Sequence, residues 1–243
     1  VRRLVGSEMC IRDRFNSSWS KKRFLEGLEN KFVNSDKLLI FHQSAAKGSI
    51  DLVKKKEKWI TFVGKLNKAK GYDVFASSIK KVLNQNPNWK AKIIGDEKRE
   101  KIALNHNRAH ILGFKKHNEV LSIFKKTSIA VACSRWEEPF GRTSLEASAN
   151  GCAVIITNKG GLPETVTDAK ILKNLSVKEL TKTINFLIKN DKTRKKLQNL
   201  SIKNFYLTHS YVAASIDNYR SEKISYLKKI NTKRPIKNLR ILH

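Results

Sequence analysis

Two glutamates with seven residues between them, Glu138 and Glu146, are the side chains whose types and spacing could do chemistry. Carboxylates are good acceptors for the paired hydroxyls of a sugar or a ribose. Between them, the turn Phe140-Gly141 precedes residues 142–144, whose main-chain amides would begin a helix. Such amides lack partners inside the helix and favour an anion. A ligand with a phosphate centre and a polyol on either side, such as a nucleotide-sugar, would satisfy all three groups.

The hydrophobic pattern predicts the elements that position these groups. An apolar run over 128–133 predicts a buried strand, so Glu138 lies on the loop after it, and a helix follows over about 142–150. Because a helix rises about 1.5 Å per residue, Glu146 lies roughly one turn beyond the anion site. Further strands, alternating with helices, are predicted at 59–63, 91–94, 110–112 and 152–157. The alternation predicts an α/β fold with a doubly wound parallel sheet, which binds ligands at the carboxyl ends of its strands.

The loop after the predicted strand 59–63 is basic and is bounded by Gly64 and Gly71. Two lysines on it, Lys65 and Lys70, could converge on one diphosphate and neutralise the charge that grows as the leaving group departs. The alternative is a solvated basic turn. Since the sequence contains no Asp-x-Asp pair, we expect no metal and no cofactor, with the nucleotide-sugar as the substrate.

The glutamate pair and its surroundings resemble a known family. Glu138 and Glu146 match the E-x7-E motif of retaining glycosyltransferases with the GT-B fold. Four segments look like family four of these enzymes: Glu138-Pro-Phe-Gly, Leu145-Glu-Ala, Gly151-Cys-Ala-Val-Ile and Gly160-Gly-Leu-Pro-Glu. The resemblance runs from about Phe15 to Tyr219 and implies a Rossmann-like, C-terminal, donor-binding half of a GT-B fold.

The resemblance also implies a role for each candidate residue. Glu138, Lys65 and Lys70 would form the catalytic set, with Glu138 on the sugar hydroxyls and the lysines on the diphosphate. Glu146 would hold the ribose hydroxyls. Further donor-binding positions would be Gly64, Phe140, Gly141, Arg142, Thr143 and Ser144, together with His110, Ile111 and Leu112 against the nucleobase. Lys65 stands where the family usually has arginine, and it lacks the two-pronged guanidinium fork.

By resemblance, the intact enzyme would move a sugar to an acceptor with retention of configuration, and we expect that acceptor to be a glycan or a lipid-linked glycan. The chain divides into an expected non-native leader (1–14), an interdomain remnant (15–50), the nucleotide-sugar-binding domain with a terminal helix (51–222) and a basic tail (223–243). Because the acceptor-binding half is expected to be absent, we predict weak binding of a nucleotide diphosphate and little or no transfer by this chain.

Composition leaves two other classes open. The net charge of +29 favours anionic partners, which admits a basic nucleic-acid-binding module, and a non-catalytic sugar-binding half-domain is the third reading. The positive charge is spread along the chain without an RNA-binding aromatic motif or paired zinc ligands, so we expect no nucleic-acid partner. Three cysteines without metal spacing indicate reduced thiols and a cytoplasmic protein. The basic tail would suit a peripheral contact with the inner face of a membrane.

Overall fold

The computed structural model describes residues 14–27 and 38–231, so most of the expected leader, Cys10 and the last residues of the basic tail lie outside the described part. A small parallel pair is formed by β1 (Arg14–Phe15) and β2 (Leu39–Ile40). Between them in the chain lies α1 (Ser18–Glu26), whose N-terminus is capped by the Ser17 side chain.

In the described part of the chain, the main sheet has six strands, all parallel, which confirms the doubly wound α/β prediction. In chain order they are β3 (Glu57–Val63), β4 (Lys90–Ile94), β5 (Ala109–Ile111), β6 (Thr127–Ala132), β7 (Ala153–Thr157) and β8 (Ala169–Leu172). Across the sheet they run β5-β4-β3-β6-β7-β8. The order therefore reverses between β3 and β6, and in open parallel sheets the ligand crevice lies at that reversal.

Helices cover the sheet and close the chain. They are α2 (Tyr72–Gln85), α3 (His117–Lys126), α4 (Arg142–Ala149), α5 (Val177–Lys189), α6 (Asp191–Lys203) and α7 (His209–Asn231), with short 3-10 helices at Ile50–Lys55 and Leu162–Thr165. The last helix continues to Asn231, so the part of the basic tail before residue 232 is helical. None of the helices in residues 14–27 and 38–231 is both long and apolar enough to cross a membrane.

The core lies on both faces of the sheet. On one face Ile60 and Phe62 of β3 pack with Phe75 of α2 in a large apolar cluster, and Phe124 and Ile156 belong to a second cluster on α3, α4 and β7. Parallel strands covered on both faces are continuously apolar, which explains why the sequence pattern identified them. Cys133 and Cys152 are fully buried, and burial raises the pKa of Cys133 to about 12. Both thiols are therefore core residues.

Candidate functional site

A cleft of about 370 Å³ opens at the carboxyl ends of β3 and β6, where the strand order reverses. Its volume lies in the range of small-molecule sites. Val63 and Gly64 come from the end of β3, and Ala132 and Cys133 from the end of β6. Other lining residues are Asn16, Gln43, Phe62, Lys70, Ser134, Glu138, Pro139, Phe140, Gly141, Arg142, Thr143 and Leu162. The crevice predicted from the fold class therefore exists and contains much of the predicted site.

The N-terminus of α4 faces this cleft. Gly141 precedes the helix with a φ of 108°, and a Cβ there would lie 2.5 Å from Leu162 Cδ2, so glycine is required for this approach. No side chain of the described residues caps the helix start. Arg142 and Thr143 line the cleft, whereas the Ser144 hydroxyl is buried and bonds the Gly141 carbonyl and Thr165 Oγ1 at 2.6 Å. Ser144 can therefore offer a ligand its amide but not its side chain.

Lys70 and Glu138 meet directly in the cleft, where Lys70 Nζ contacts Glu138 Oε1. Two main-chain bonds join their loops, because the amides of Arg135 and Trp136 donate to the Ala69 carbonyl at 2.9 and 3.0 Å. The resemblance assigns Lys70 to the diphosphate and Glu138 to the sugar hydroxyls. In this structure Lys70 pairs with Glu138, so a bound diphosphate would compete with Glu138 for the ammonium group.

The main chain at Glu138 is held by the paired glycines that follow β7. The amide of Gly161 donates to the Glu138 carbonyl at 2.6 Å. Gly160 has a φ of 59°, and a Cβ there would lie 2.2 Å from the same carbonyl oxygen. Such a contact is far inside van der Waals distance, so these glycines allow the loop carrying Glu138 to pack closely.

Glu146 lies on α4, one turn beyond the helix start, and only 7% of it is exposed. Its Oε1 accepts hydrogen bonds from Arg142 Nε and His117 Nε2, both at 3.0 Å. Within the described residues, Oε2 has no hydrogen-bond partner. Glu146 is not among the cleft-lining residues, so a ligand that reached it would extend past α4 toward the start of α3.

Lys65 does not join Lys70. It is exposed and lies outside the cleft lining, on the side of the loop near Glu97. The pKa of the Glu97 carboxyl is lowered by the Arg99 amide, by the Asn67 side chain and by the charge of Lys65. The expected convergence of the two lysines is therefore not observed. A role for Lys65 in donor binding stays a prediction.

The predicted nucleobase segment, His110 to Leu112, also lies outside the cleft lining. His110 and Ile111 end the edge strand β5, Leu112 follows it, and Ile111 is 48% exposed. A short loop leads from this strand to His117, which contacts Glu146. The segment is thus linked to the ribose side of the predicted site, and its contact with a nucleobase stays a prediction.

Glu164 anchors the start of α1, a role that was not predicted from the sequence. Its carboxylate accepts hydrogen bonds from the amides of Ser18 and Trp19 at 2.7 and 3.0 Å and lies 3.1 Å from His42 Nε2. Burial alone would raise the pKa of Glu164, but these hydrogen bonds outweigh it and lower the pKa. The segment Gly160-Gly-Leu-Pro-Glu was visible in the sequence. Its partners lie more than 100 residues away, which no local pattern indicates.

The sequence signature described as "Glycosyl transferases group 1" matches residues 47–203, which is more than half of the chain. The chain belongs to the glycosyl transferases group 1 family. Among curated relatives, this group 1 chain is 31% identical over 137 residues to the lipopolysaccharide core biosynthesis mannosyltransferase LpsB of Rhizobium meliloti. The matched region covers 52% of this chain and 38% of LpsB.

Two solved structures show the same fold. The group 1 chain is similar to Anabaena Alr3699/HepE in complex with UDP-glucose, with a TM-score of 0.71, 17% identity and coverage of 87% of this chain and 64% of that one. It is also similar to the C-terminal domain of the group 1 family protein LpcC from Francisella tularensis, with 25% identity, a TM-score of 0.54 and coverage of 71% and 95%. The chain spans between 30% and 58% of the length of five curated relatives that it matches.

Proposed function

We propose that the cleft between β3 and β6 binds a nucleotide-sugar and that the intact protein transfers the sugar to an acceptor with retention of configuration. The observation that carries this proposal is the meeting of the Lys70–Glu138 pair with the uncapped start of α4 at the reversal of strand order. Cation, carboxylate and free amides are the groups that a diphosphate flanked by hydroxyls requires. Family membership and the UDP-glucose complex of Alr3699/HepE support the same ligand class.

Each group has a separate task in the proposed reaction. The bond between the sugar and the diphosphate oxygen breaks, a bond from the sugar to an acceptor hydroxyl oxygen forms, and the proton of that hydroxyl passes to the departing diphosphate. Lys70 and the amides of Arg142, Thr143 and Ser144 stabilise the negative charge that grows on the departing diphosphate, and stabilisation of developing charge is commonly a large catalytic effect. Glu138 accepts hydrogen bonds from the sugar, and Glu146 accepts from the ribose. These cationic and amide groups balance the charge without a metal ion.

The acceptor, the location and the membrane contact belong to the proposal as well. A glycan or lipid-linked glycan is the acceptor we favour, and LpsB, a lipopolysaccharide core biosynthesis mannosyltransferase, supports that class. We place the protein in the cytoplasm, with its basic C-terminal segment on the inner membrane face. Tyr211 and Arg220, whose side chains are exposed on α7, support a surface contact with anionic lipid.

Isothermal titration calorimetry with UDP, GDP and ADP tests the function. We expect one of the three to bind, and we expect Glu146→Gln to abolish measurable binding while the circular dichroism spectrum stays unchanged. Glu222→Gln is the matched control, because Glu222 is exposed on α7 and does not line the cleft. Failure of all three nucleotides to bind would refute the proposal.

The same titration separates the alternative classes. A nucleic-acid-binding module would bind RNA with an affinity that falls steeply with salt and would ignore the substitution at Glu146. A non-catalytic sugar-binding half-domain would bind free sugar without a nucleotide. Either result would replace the nucleotide-sugar proposal.

A further inference from the structure

The cleft has a second wall that none of the predicted site residues supplies. Asn16, between β1 and α1, and Gln43, after β2, line the same cleft as Lys70 and Glu138. Asn16 is partly buried and Gln43 is exposed. The side-chain oxygen Oδ1 of Asn16 accepts from Ser20 Oγ at 3.0 Å, and the side-chain nitrogen Nδ2 has no hydrogen-bond partner within residues 14–27 and 38–231. A neutral hydrogen-bonding wall therefore stands beside the charged pair.

The wall is anchored on the side of Asn16. The Ser17 hydroxyl donates to the carbonyl of Pro139, the residue after Glu138, and Ser20 Oγ lies 3.0 Å from the same carbonyl oxygen. At the start of α1, the main-chain amides of Ser18 and Trp19 donate hydrogen bonds to the Glu164 carboxylate. Asn16 is thus fixed against the loop that carries Glu138, although that loop is more than 100 residues away in sequence.

The wall is anchored on the side of Gln43 as well. Its neighbour His42 contacts Glu164 through Nε2 and packs on the Phe140 ring with the ring centres 5.5 Å apart. On the other side, Ser44 Oγ lies 2.8 Å from His209 Nδ1. Because both neighbours of Gln43 are held, its position at the cleft is set by the fold.

The side-chain carboxamides of Asn16 and Gln43 determine which part of a ligand this wall can bind. A carboxamide carries both donors and an acceptor without charge, which matches sugar hydroxyls, since these donate and accept as well. The phosphate side is already supplied by Lys70 and by the amides at the start of α4. We propose that Asn16 and Gln43 are specificity-determining residues that bind hydroxyls of the transferred sugar. This inference rests on the proposed donor role of the cleft.

The test compares two ligands on the same variants. Calorimetry first identifies which of UDP, GDP and ADP binds, and then measures the affinity of the corresponding nucleotide-hexose. Wild-type protein is expected to bind the nucleotide-hexose more tightly than the nucleotide. In Asn16→Ala and Gln43→Ala that difference falls by about 2-fold to 10-fold each, the range of one neutral hydrogen bond, while affinity for the nucleotide stays unchanged.

Ser20→Ala is the matched control, because it removes the contacts to Asn16 and to Pro139 but keeps the carboxamide. The control should keep most of the preference for the nucleotide-hexose. If Ser20→Ala and Asn16→Ala lose the preference equally, Asn16 acts only through packing and the inference is overturned. An unchanged preference in both Asn16→Ala and Gln43→Ala overturns it too. A wild-type protein that binds no nucleotide refutes the proposed function instead, so the two failures are distinguishable.

Discussion

Lys70 and Glu138 form an ion pair across the ends of two strands, although 68 residues separate them in the chain. The side chain of Glu138 is 14% exposed and that of Lys70 is 33% exposed, so the pair is only partly screened by water. In the proposed function, Lys70 binds the diphosphate and Glu138 binds the sugar. Binding of that ligand would therefore exchange the contact of Lys70 with Glu138 for a contact with phosphate.

Substitution of Lys70 by alanine should weaken binding of the nucleotide diphosphate about 10-fold to 100-fold, because a charge-assisted hydrogen bond is lost. Glu138 then also faces the phosphates without its cation. Calorimetry on Lys70→Ala measures the loss. Lys68→Ala is the control, since Lys68 lies on the same loop, is exposed and does not line the cleft. Equal losses in both variants would show that only the overall charge of the loop matters.

Lys65 gives a graded comparison on the same loop. Because it is exposed and outside the cleft lining, Lys65→Ala should reduce the affinity only about 2-fold at low salt. This small loss should vanish at about 0.5 M salt, where exposed charges are screened. A loss as large as that of Lys70→Ala, persisting in salt, would place Lys65 on the ligand.

The main strands and helices, and the crevice at the carboxyl ends of the strands, could be predicted from the sequence. Continuous apolar runs identified β3, β6 and β7 because these strands are covered on both faces, and the alternation with helices gave the parallel sheet. The strand Ala169–Leu172 was missed, because it is short, holds Lys170 and leaves Ile171 exposed. Edge strands of this kind lack the continuous apolar signal.

The contacts between residues of the site that are far apart in the chain could not be predicted from the sequence. The E-x7-E spacing correctly placed Glu146 on the helix one turn past its start, since that relation is local. The spacing of Lys65 and Lys70 could not show that their side chains point to different neighbours. The anchoring of α1 by Glu164, and the wall of Asn16 and Gln43, depend on segments brought together only by the complete fold.

Gly160 should be more sensitive to substitution than Gly113, although both have a positive φ. Gly113→Ala adds a Cβ that meets nothing within 4 Å, so it should cost only the backbone strain of about 1–2 kcal/mol. Gly160→Ala adds a clash with the main chain of Glu138 and should cost roughly 2 kcal/mol more. Urea unfolding measures both free energies. Equal costs would mean that the Glu138 loop yields easily.

His117 should influence ribose recognition through its contact with Glu146. Without the imidazole, Arg142 is the remaining partner of Glu146 Oε1 among the residues that the structure describes, and the carboxylate is less restricted in orientation. We expect His117→Ala to reduce the preference for ribonucleotide over 2′-deoxyribonucleotide diphosphates about 3-fold, roughly one neutral hydrogen bond. His106→Ala, at a ring that contacts Asn84, is the control. A preference that stays at the wild-type level would separate His117 from the ribose site.

Glu164 should make stability depend on pH. Its pKa is lowered below the ordinary value of 4.5, so its ionised form stabilises the folded state above that value. This contribution is lost as the pH falls through the lower, folded pKa. The difference in unfolding free energy between wild type and Glu164→Gln should therefore be constant near neutral pH and shrink below pH 4.5. A difference that stays constant from pH 7 to about pH 3 would contradict this role.

The proposed function depends most on where the phosphates bind, which NMR chemical shifts of the main-chain amides can locate. A titration of isotope-labelled protein with the nucleotide diphosphate that binds best should shift the main-chain amide signals of Gly64, Arg142, Thr143 and Ser144 first and most strongly. Shifts confined to the basic surface of α6 and α7, with these four amides unmoved, would contradict the placement of the donor in the cleft between β3 and β6.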